Sequence, residues 1–480
     1  MEDFRMIQFG KADAQTEVEF FPNLLKNGYF DKDNVVNSVL HSPIFLFLGY
    51  KGAGKTALSE HLKLIDDADC NVSLMTLTDL PYKSFAKIIS GDDEVEQKVK
   101  VAWRWLLLVK VLYCLYKDNE SVFTANADIR AIIDLFTKLG VFPVTEFSNL
   151  ITKTASNRFK AEIQGFEYEY TSTRENSTIS LMMLMDYLKE VILSCKEERQ
   201  QIIVIDGLDS ILTSREIQYI SIAGLINEAK ELNALFARNG ILVKILVLCR
   251  TDIFERLPDP NKNKIRRDCS YSFNWYIEGA DDQHKCGLID IANIRSRLIY
   301  PQIDDMFEHF FPSRHYEKET TSVLLDVTRH TPRDFLQLLS FIQKQCVSTH
   351  VTSKDITKGI NEYSATYFLP EIKDEMVGYI PYQHIDSVVT LLSSLHEKEF
   401  YFKDIEPIFV SMDLGSKLGM NLGELMAILY ECSAIGNVYS YTDGQEIRVS
   451  FKYRNRNSSF NAINKITLHR GLWKALNVNY

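Results

Sequence analysis

The chain has 480 residues, of which 46% are hydrophobic and 25% charged, a composition typical of a globular protein with two to four domains and ample core. Its formal net charge of −10 excludes a protein-wide basic field, so any contact with nucleic acid must be local. The first residues lack a basic stretch followed by an apolar one, and the eight cysteines are scattered without a C-x-x-C pair. These features predict a cytoplasmic protein with reduced cysteines, no zinc site and no membrane association.

Residues 1–40 are expected to pack on the core as an N-terminal segment. After them, the apolar run 45–48 leads into a loop with the pattern G-x-x-x-x-G-K-[ST], and a helical pattern follows. Gly49 and Gly54 can adopt positive φ, so the loop can aim its N–H groups at a phosphate. Lys55 is expected to contact the β- and γ-phosphates and Thr56 to bind Mg²⁺, while the helix N-terminus adds partial positive charge. The predicted nucleoside triphosphate site comprises Gly49, Tyr50, Lys51, Gly52, Ala53, Gly54, Lys55, Thr56 and Ala57.

A helical insertion at about residues 82–198 follows the second predicted strand, 72–77. Its most apolar stretch, 103–116, is too short for a membrane span and is interrupted by Arg104 and Lys110, which predicts a buried helix. Helical spacing recurs over 128–136 and 180–193, and the polar composition of 150–178 predicts a loop. A binding surface and a purely structural role for the insertion remain equally open.

A second motif that supports nucleotide binding is the continuous apolar run 201–205, which leads into Asp206. Such a run is typical of a strand buried on both faces of a parallel sheet. A carboxylate at the carboxyl end of this strand would lie beside the phosphate loop and could bind Mg²⁺ through water. A simple Asp-Gly turn is the alternative, but the phosphate loop upstream favours the metal interpretation.

These residues together resemble the ASCE division of P-loop ATPases and, within it, the AAA+ and STAND group. The resemblance implies ATP and Mg²⁺ as ligands, hydrolysis of ATP and assembly into a homo-oligomer. Many AAA+ relatives carry a glutamate directly after the metal-binding aspartate, where it polarises the attacking water. This chain has Gly207 there, which leaves Asp209 as the candidate base. If Asp209 does not reach the water, the chain is a slow ATPase or a nucleotide-gated switch.

Two further segments match the same group in the expected order. The apolar run 241–249 ends in Arg250, Thr251 and Asp252 and resembles the sensor-1 strand, so Arg250 or Thr251 would read the γ-phosphate unless Arg250 simply pairs with an acid such as Asp252. Before the last predicted strand, 269–275, lie Arg266 and Arg267, at the position of an arginine finger that reaches a neighbouring subunit. The alternative is two solvated surface arginines.

The segment 328–339 resembles the sensor-2 region of a helical lid. Pro332 suits the first turn of a helix, and Arg333 would approach the γ-phosphate from the start of that helix. The alternative is a capped helix with an exposed arginine.

The last part of the chain predicts three helices, at 385–395, 403–410 and 422–430, followed by two alternating strands around an Asp-Gly pair. Three helices and a hairpin form a winged helix, and the whole layout resembles Cdc6/Orc-like ATPases. The predicted domains are therefore a P-loop ATPase core at 41–280, a helical lid at 281–375 and a winged helix at 380–480.

The wing and the tail are locally basic, with no acid after Glu446. A basic region of this kind in an otherwise acidic chain favours contact with nucleic acid. The alternative is an ordinary basic surface that faces solvent. The third helix carries Glu424 and no lysine or arginine, which argues against its insertion into a DNA groove and leaves a partner effector protein as the other target. The basic residues are Arg448, Lys452, Arg454 and Arg456, the candidate nucleic-acid contacts, and then Lys465, Arg470 and Lys474.

The sequence thus predicts an α/β protein with a parallel-sheet P-loop NTPase core, a helical insertion, a helical lid and a C-terminal winged-helix domain. Its predicted function is that of an ATP-hydrolysing AAA+/STAND-like switch, and the alternative is a slow or non-hydrolysing scaffold that regulates a partner. The architecture resembles that of bacterial ATPases that often serve in anti-phage defence. The candidate catalytic residues are Lys55, Asp206, Asp209, Arg250 and Arg333.

Overall fold

The computed structural model describes residues 2–65, 70–77, 85, 95–118, 127–156, 159, 181–195, 199–208, 216–277, 286–440 and 447–478. The chain divides into two compact units. The core unit consists of Asp33–Lys51 and Lys55–Phe273, and the C-terminal unit consists of Met1–Lys32, Gly52–Gly54 and Asn274–Tyr480.

Helices make up most of both units. The helices before residue 270 are α1 Ala14–Phe20, α2 Pro22–Gly28, α3 Val35–His41, α4 Lys55–Leu64, α5 Val95–Asp118, α6 Ala127–Lys138, α7 Phe147–Thr154, α8 Leu181–Ser194, α9 Glu216–Arg238, α10 Thr251–Glu255 and α11 Lys262–Cys269. Those that follow are α12 Gly287–Arg297, α13 Met306–Phe310, α14 Thr320–Asp326, α15 Pro332–Gln345, α16 Ser353–Tyr363, α17 Leu369–Met376, α18 Tyr382–Ser393, α19 Phe402–Ser411, α20 Leu414–Leu418 and α21 Leu422–Glu431.

The core unit is built on a five-stranded sheet in the order β2-β3-β4-β1-β5, in which every neighbouring pair is parallel. Parallel pairing places the carboxyl ends of the strands at one edge, where Gly49 lies in register with Arg250, and Thr76 with Asp206. The predicted parallel α/β core is confirmed. The strands are β1 Leu46–Gly49, β2 Cys70–Thr76, β3 Gln200–Asp206, β4 Val243–Arg250 and β5 Ser270–Ser272.

The predicted helical insertion lies between β2 and β3 and contains α5 to α8. Helix α5 is buried along most of its length, and Arg104 and Lys110, which interrupt its apolar stretch, both have partners inside the unit. Arg104 contacts Glu228 at 2.8 Å and Glu231 at 2.6 Å, both on α9. Lys110 donates to the carbonyl oxygen of Val144 at 3.3 Å, and burial lowers its pKa. None of the described helices is long and apolar enough to cross a membrane.

The predicted loop over 150–178 starts within α7, which continues to Thr154, and residues 160–178 lie outside the described part of the chain. The eight cysteines all lie among the described residues, where none of them forms a disulfide and most are buried.

The N-terminal segment requires a correction, because Met1–Lys32 belongs to the C-terminal unit and the core unit begins at Asp33. The ring of Phe4 packs edge-on against that of Phe311, with 5.1 Å between the ring centroids. The carboxylate of Glu17 forms a buried pair with Arg295, at 2.7 and 3.1 Å. An ionic partner in α12 and an apolar partner at the end of α13 therefore fix this segment on the lid.

In the lid, α15 and α16 pack so closely that a Cβ added to Gly359 would lie 2.6 Å from the Cα of Ile342. Two short strands, β6 Arg314–His315 and β7 Lys318–Glu319, form a hairpin before α14. Helix α15 begins at Pro332 with Thr331 as its N-cap, which confirms the helix start predicted there.

Residues 380–478, here called the C-terminal domain, have the predicted order of helices followed by a hairpin. Helix α21 begins with a capping box in which Asn421 and Glu424 bond each other's backbone N–H groups. The tip of the hairpin, 441–446, lies outside the described residues. The sequence did not indicate the short β8 or β11, which complete an antiparallel sheet in the order β10-β9-β11-β8. Its strands are β8 Glu399–Phe400, β9 Ile435–Ser440, β10 Ile447–Ser450 and β11 Lys465–Leu468.

Candidate nucleotide-binding site

The phosphate loop, residues 49–56, joins β1 directly to α4. Its positive φ angles occur at Gly52, at 80°, and Gly54, at 100°, where residues with a Cβ would be strained. The assignment of positive φ to Gly49 was wrong, because Gly49 is the last residue of β1 and pairs with β4. The loop therefore turns at its second and third glycines.

Two polar side chains at the start of α4, those of Lys55 and Thr56, bond to groups of the core unit. The Nζ atom of Lys55 donates to the carbonyl oxygens of Gly49, at 3.0 Å, and Tyr50, at 3.2 Å, and only 6% of the residue is exposed. The hydroxyl of Thr56 donates to Oδ2 of Asp206 at 2.8 Å. An ammonium and a hydroxyl–carboxylate pair thus lie at the carboxyl edge of the sheet.

Asp206 is the last residue of β3 and is 7% exposed. Its Oδ1 atom accepts a bond from the backbone N–H of Gly207 at 2.7 Å, while Oδ2 accepts from Thr56. Hydroxyl and carboxylate oxygens are ligands that Mg²⁺ prefers. The chemistry of these two side chains therefore fits a magnesium ion bound together with a nucleotide phosphate.

Gly207 directly follows Asp206, where the resemblance to AAA+ ATPases would place a glutamate. Its φ is +81°, and an added Cβ would lie 2.9 Å from Cγ2 of Thr76 and 3.2 Å from the backbone nitrogen of Leu77. A glutamate would therefore be both strained and crowded in this conformation. The candidate base Asp209 lies outside the described residues.

Arg250, the sensor-1 candidate, is the last residue of β4. Its guanidinium forms two bonds to the carboxylate of Asp252, at 2.9 and 3.0 Å, which is the pairing that the sequence left open. Burial would raise the pKa of Asp252, but the attraction of Arg250 outweighs it and lowers that pKa.

The two arginine-finger candidates lie at the end of α11 in different surroundings. Arg266 contacts Glu255 at 2.6 Å and covers the ring of Phe254, and its side chain is 14% exposed. Arg267 is 80% exposed and contacts the neighbouring Asp268. Of the two, Arg267 is the more exposed.

Arg333, the sensor-2 candidate, lies in the first turn of α15 within the C-terminal unit, which also includes Gly52–Gly54. Its backbone N–H donates to the carbonyl oxygen of Gly52 at 3.3 Å. A Cβ on Gly52 would lie 3.0 Å from that of Arg333. Close by in the same unit, Nε1 of Trp275 donates to the carbonyl oxygen of Ala53 at 2.9 Å.

The sequence did not indicate the buried pair that fixes the start of α15. The guanidinium of Arg329 bonds the two carboxylate oxygens of Asp334 at 2.8 and 3.0 Å, and Tyr367 donates to the same carboxylate at 3.1 Å. One available signal was the spacing of Thr331 and Asp334, since T-x-x-D before an apolar run is typical of a helix start.

The candidate nucleic-acid contacts fall into two groups. Lys452 pairs with Glu431 at 2.9 Å, and Arg454 pairs with Asp326 at 3.6 Å while covering aromatic rings. Arg448 and Arg456 are exposed. Among the other basic residues of the tail, Lys465 pairs with Glu399 at 2.6 Å, Arg470 pairs with Asp326 at 3.5 Å, and Lys474 is exposed.

Comparison with known proteins adds a local match and a distant one. The family described as FunZ-associated C-terminal helical domain matches residues 288–369, which run from the second residue of α12 to the first residue of α17. No curated protein matches the chain. The crystal structure of Cdc6p from Pyrobaculum aerophilum is similar at 12% identity, over 97% of this chain and 93% of that chain, with a TM-score of 0.29. With so low a TM-score, the fold assignment depends on the strand order and pairing described above.

Proposed function

We propose that the chain binds ATP with Mg²⁺ and hydrolyses it as an AAA+/STAND-like switch whose C-terminal domain contacts DNA or a partner protein. The contact between Thr56 and Asp206 carries this proposal, because it joins a hydroxyl and a carboxylate that are 150 positions apart in sequence. In the bound state, both oxygens would face Mg²⁺, which would neutralise phosphate charge.

The phosphate groups would be bound by the backbone N–H groups of the glycine turn, by Lys55 and by the N-terminus of α4. The positive φ angles of Gly52 and Gly54 support this role, since they curl the loop in the way that an anion-binding turn requires. The preference for adenine over guanine rests on the resemblance to AAA+ and STAND ATPases alone.

Calorimetric titration of the full chain with ATP, in the presence and absence of Mg²⁺, tests this proposal. We expect Lys55→Ala and Asp206→Asn to abolish or strongly weaken Mg-ATP binding. Lys63→Ala is the matched control, because Lys63 is an exposed lysine at the other end of α4. Undiminished binding by folded Lys55→Ala protein would refute the site.

A non-hydrolysing, nucleotide-gated scaffold is the second candidate, and Gly207 is the observation that favours it. Its surroundings leave no room for the usual glutamate, so the activation of water must come from another residue. Steady-state hydrolysis by the wild type, Asp209→Asn and Lys55→Ala proteins separates the two candidates. Turnover that exceeds the Lys55→Ala background and falls in Asp209→Asn supports the enzyme; turnover at that background supports the scaffold.

Assembly into a homo-oligomer, with Arg267 as the residue that reaches the neighbour, is a further part of the proposal. Its support is the 80% exposure of Arg267, compared with the pairing of Arg266 inside its own unit. Sedimentation with and without Mg-ATP tests it. Anti-phage defence stays a prediction from the resemblance.

A further inference from the structure

A single segment of the lid, residues 326–334, contacts the phosphate loop at one end and the C-terminal domain at the other. It runs from the last residue of α14 into the first turn of α15. All of its contacts described below lie within the C-terminal unit. The segment therefore connects Gly52 to the C-terminal domain within this unit.

At the phosphate-loop end, the contact is made by backbone and short side-chain atoms. The N–H of Arg333 donates to the carbonyl oxygen of Gly52. A Cβ added to Gly52 would lie 3.2 Å from Oγ1 of Thr331, so the start of α15 rests directly on the glycine. A shift of this helix start by about an ångström would break the contact, since hydrogen bonds weaken steeply beyond about 3.5 Å.

At the other end, the C-terminal domain holds the segment by charge, stacking and close backbone approach. Asp326 pairs with Arg470 at 3.5 Å and with Arg454 at 3.6 Å. A Cβ added to Gly471 would lie 2.6 Å from the carbonyl oxygen of Val327. At that position the two backbones are so close that only glycine fits.

Between its two ends the segment is held by a ring stack and by an internal ion pair. The ring of His330 stacks on that of Tyr453, with 5.7 Å between centroids and 23° between the planes. The φ of His330, +50°, is unusual for a residue with a Cβ. Burial lowers the pKa of its imidazole to about 3, so the ring is neutral. A buried ion pair joins Arg329 to Asp334, and both residues belong to the segment. A displacement at one end is therefore transmitted to the other rather than absorbed.

We propose that the C-terminal domain sets the nucleotide affinity of the phosphate loop by fixing residues 326–334 against Gly52, with Asp326 and Gly471 as positioning residues. This inference rests on the proposed ATP binding. Because coupling between two sites is reciprocal, bound nucleotide strengthens the docking of the C-terminal domain by the same factor.

Two substitutions in the full chain weaken the docking by different means. Asp326→Asn removes the charge that pairs with two arginines while keeping the side-chain shape, and Gly471→Ala places a methyl group against the carbonyl of Val327. Lys465→Met is the matched control, because it breaks the Lys465–Glu399 pair within the C-terminal sheet without touching the segment. The dissociation constant for Mg-ATP is measured by calorimetry for each protein, with circular dichroism as the check on folding.

We expect Asp326→Asn and Gly471→Ala to weaken Mg-ATP binding about fivefold or more, and Lys465→Met to leave it unchanged. Hydrogen exchange of residues 465–472 is the second measurement, because a purely structural role of Asp326 and Gly471 would not make this exchange depend on nucleotide. We expect Mg-ATP to slow the exchange in the wild type and to slow it less in the two variants. Wild-type affinity in both folded variants, or exchange that is indifferent to Mg-ATP in the wild type, overturns the inference. If the wild type does not bind Mg-ATP, the proposed function fails together with this inference. If the wild type binds Mg-ATP but the variants bind it equally well, only this inference fails.

Discussion

The hydroxyl of Thr56 and the carboxylate of Asp206 meet at 2.8 Å at the carboxyl edge of the parallel sheet. Thr56 is the second residue of α4 and Asp206 the last residue of β3, so both positions are set by the ends of regular elements. Their contact follows from strand order and register, and needs no flexible loop. This placement is what makes the pair a candidate for metal binding.

Removing the hydroxyl tests that role. We expect Thr56→Val to lose most of the gain in ATP affinity that Mg²⁺ provides, because valine has a similar shape but no oxygen ligand. Thr56→Ser keeps the hydroxyl and should retain that gain. The measurement is ATP affinity with Mg²⁺ and with a chelator. If Thr56→Val and Thr56→Ser respond equally to Mg²⁺, Thr56 is not a metal ligand.

Gly207 should tolerate substitution less well than a glycine that shares only its backbone conformation. We expect Gly207→Ala to lower the free energy of unfolding by about 1–3 kcal/mol, from strain at positive φ and from crowding by Thr76. Gly240→Ala is the control, because Gly240 has a φ of +67° and no atom within 4 Å of an added Cβ. Urea denaturation compares the two; equal losses would mean that crowding at Gly207 contributes nothing.

Lys244 gives the core unit a specific pH dependence. Its ammonium donates to the carbonyl oxygens of Val39 and Ser42, and burial lowers its pKa to about 8. The unfolded chain, with its ordinary lysine pKa of about 10.5, binds more protons between these values, so this residue makes stability rise with pH from about 8 to 10.5. Lys244→Met should remove that rise. The difference between the two curves of unfolding free energy against pH isolates the effect, and a constant difference over this range would contradict it.

In the buried charge cluster at the start of α15, the loss of Arg329 and the loss of Asp334 should lower the free energy of unfolding by different amounts. Arg329 pairs with Asp334 at 2.8 Å and lies 3.6 Å from Glu371 and from Glu375. Arg329→Met leaves these carboxylates without their cation and should cost about 3–5 kcal/mol. Asp334→Asn leaves Arg329 with two acids and should cost less. Chemical denaturation measures both, and a larger loss in Asp334→Asn would show that the cluster is not held by its charges.

DNA binding by the C-terminal domain, if it uses the hairpin, should depend on its two exposed arginines, Arg448 and Arg456. We expect Arg448→Glu combined with Arg456→Glu to weaken duplex binding and to reduce the slope of affinity against salt by about 2. Lys403→Glu, a charge reversal at an exposed position on α19, is the control. Unchanged affinity and slope in the double variant would leave a partner protein as the target.

The sequence predicted best what is carried by local pattern. Buried apolar runs identified β1, β3 and β4, the glycine signature located the phosphate loop, and Pro332 marked the start of α15. Each of these features is determined by residues next to one another, so a single chain is enough to read them.

Pairings between distant residues could not be read in this way. Nothing in the local sequence of Arg454 indicates that it pairs with Asp326, and its basic neighbourhood favoured nucleic acid instead. The two-residue strand β8 is likewise defined by its partner β11 and not by its own composition. The packing of Phe4 on the lid could not be predicted for the same reason. An apolar residue indicates that its side chain is buried, but it does not indicate which surface covers it.

The buried pair of Glu17 and Arg295 has a consequence for how the protein is made. The two residues are 278 positions apart, and ribosomes add about 5–20 residues per second, so Glu17 waits about 14–56 s for its partner to be synthesised. During that interval Phe4, Ile7 and Phe9, which are all buried in the finished protein, have no lid to cover them. The core unit can fold meanwhile, since its strands and helices all precede residue 274. These three apolar side chains therefore stay without their final packing partners until the lid has been synthesised.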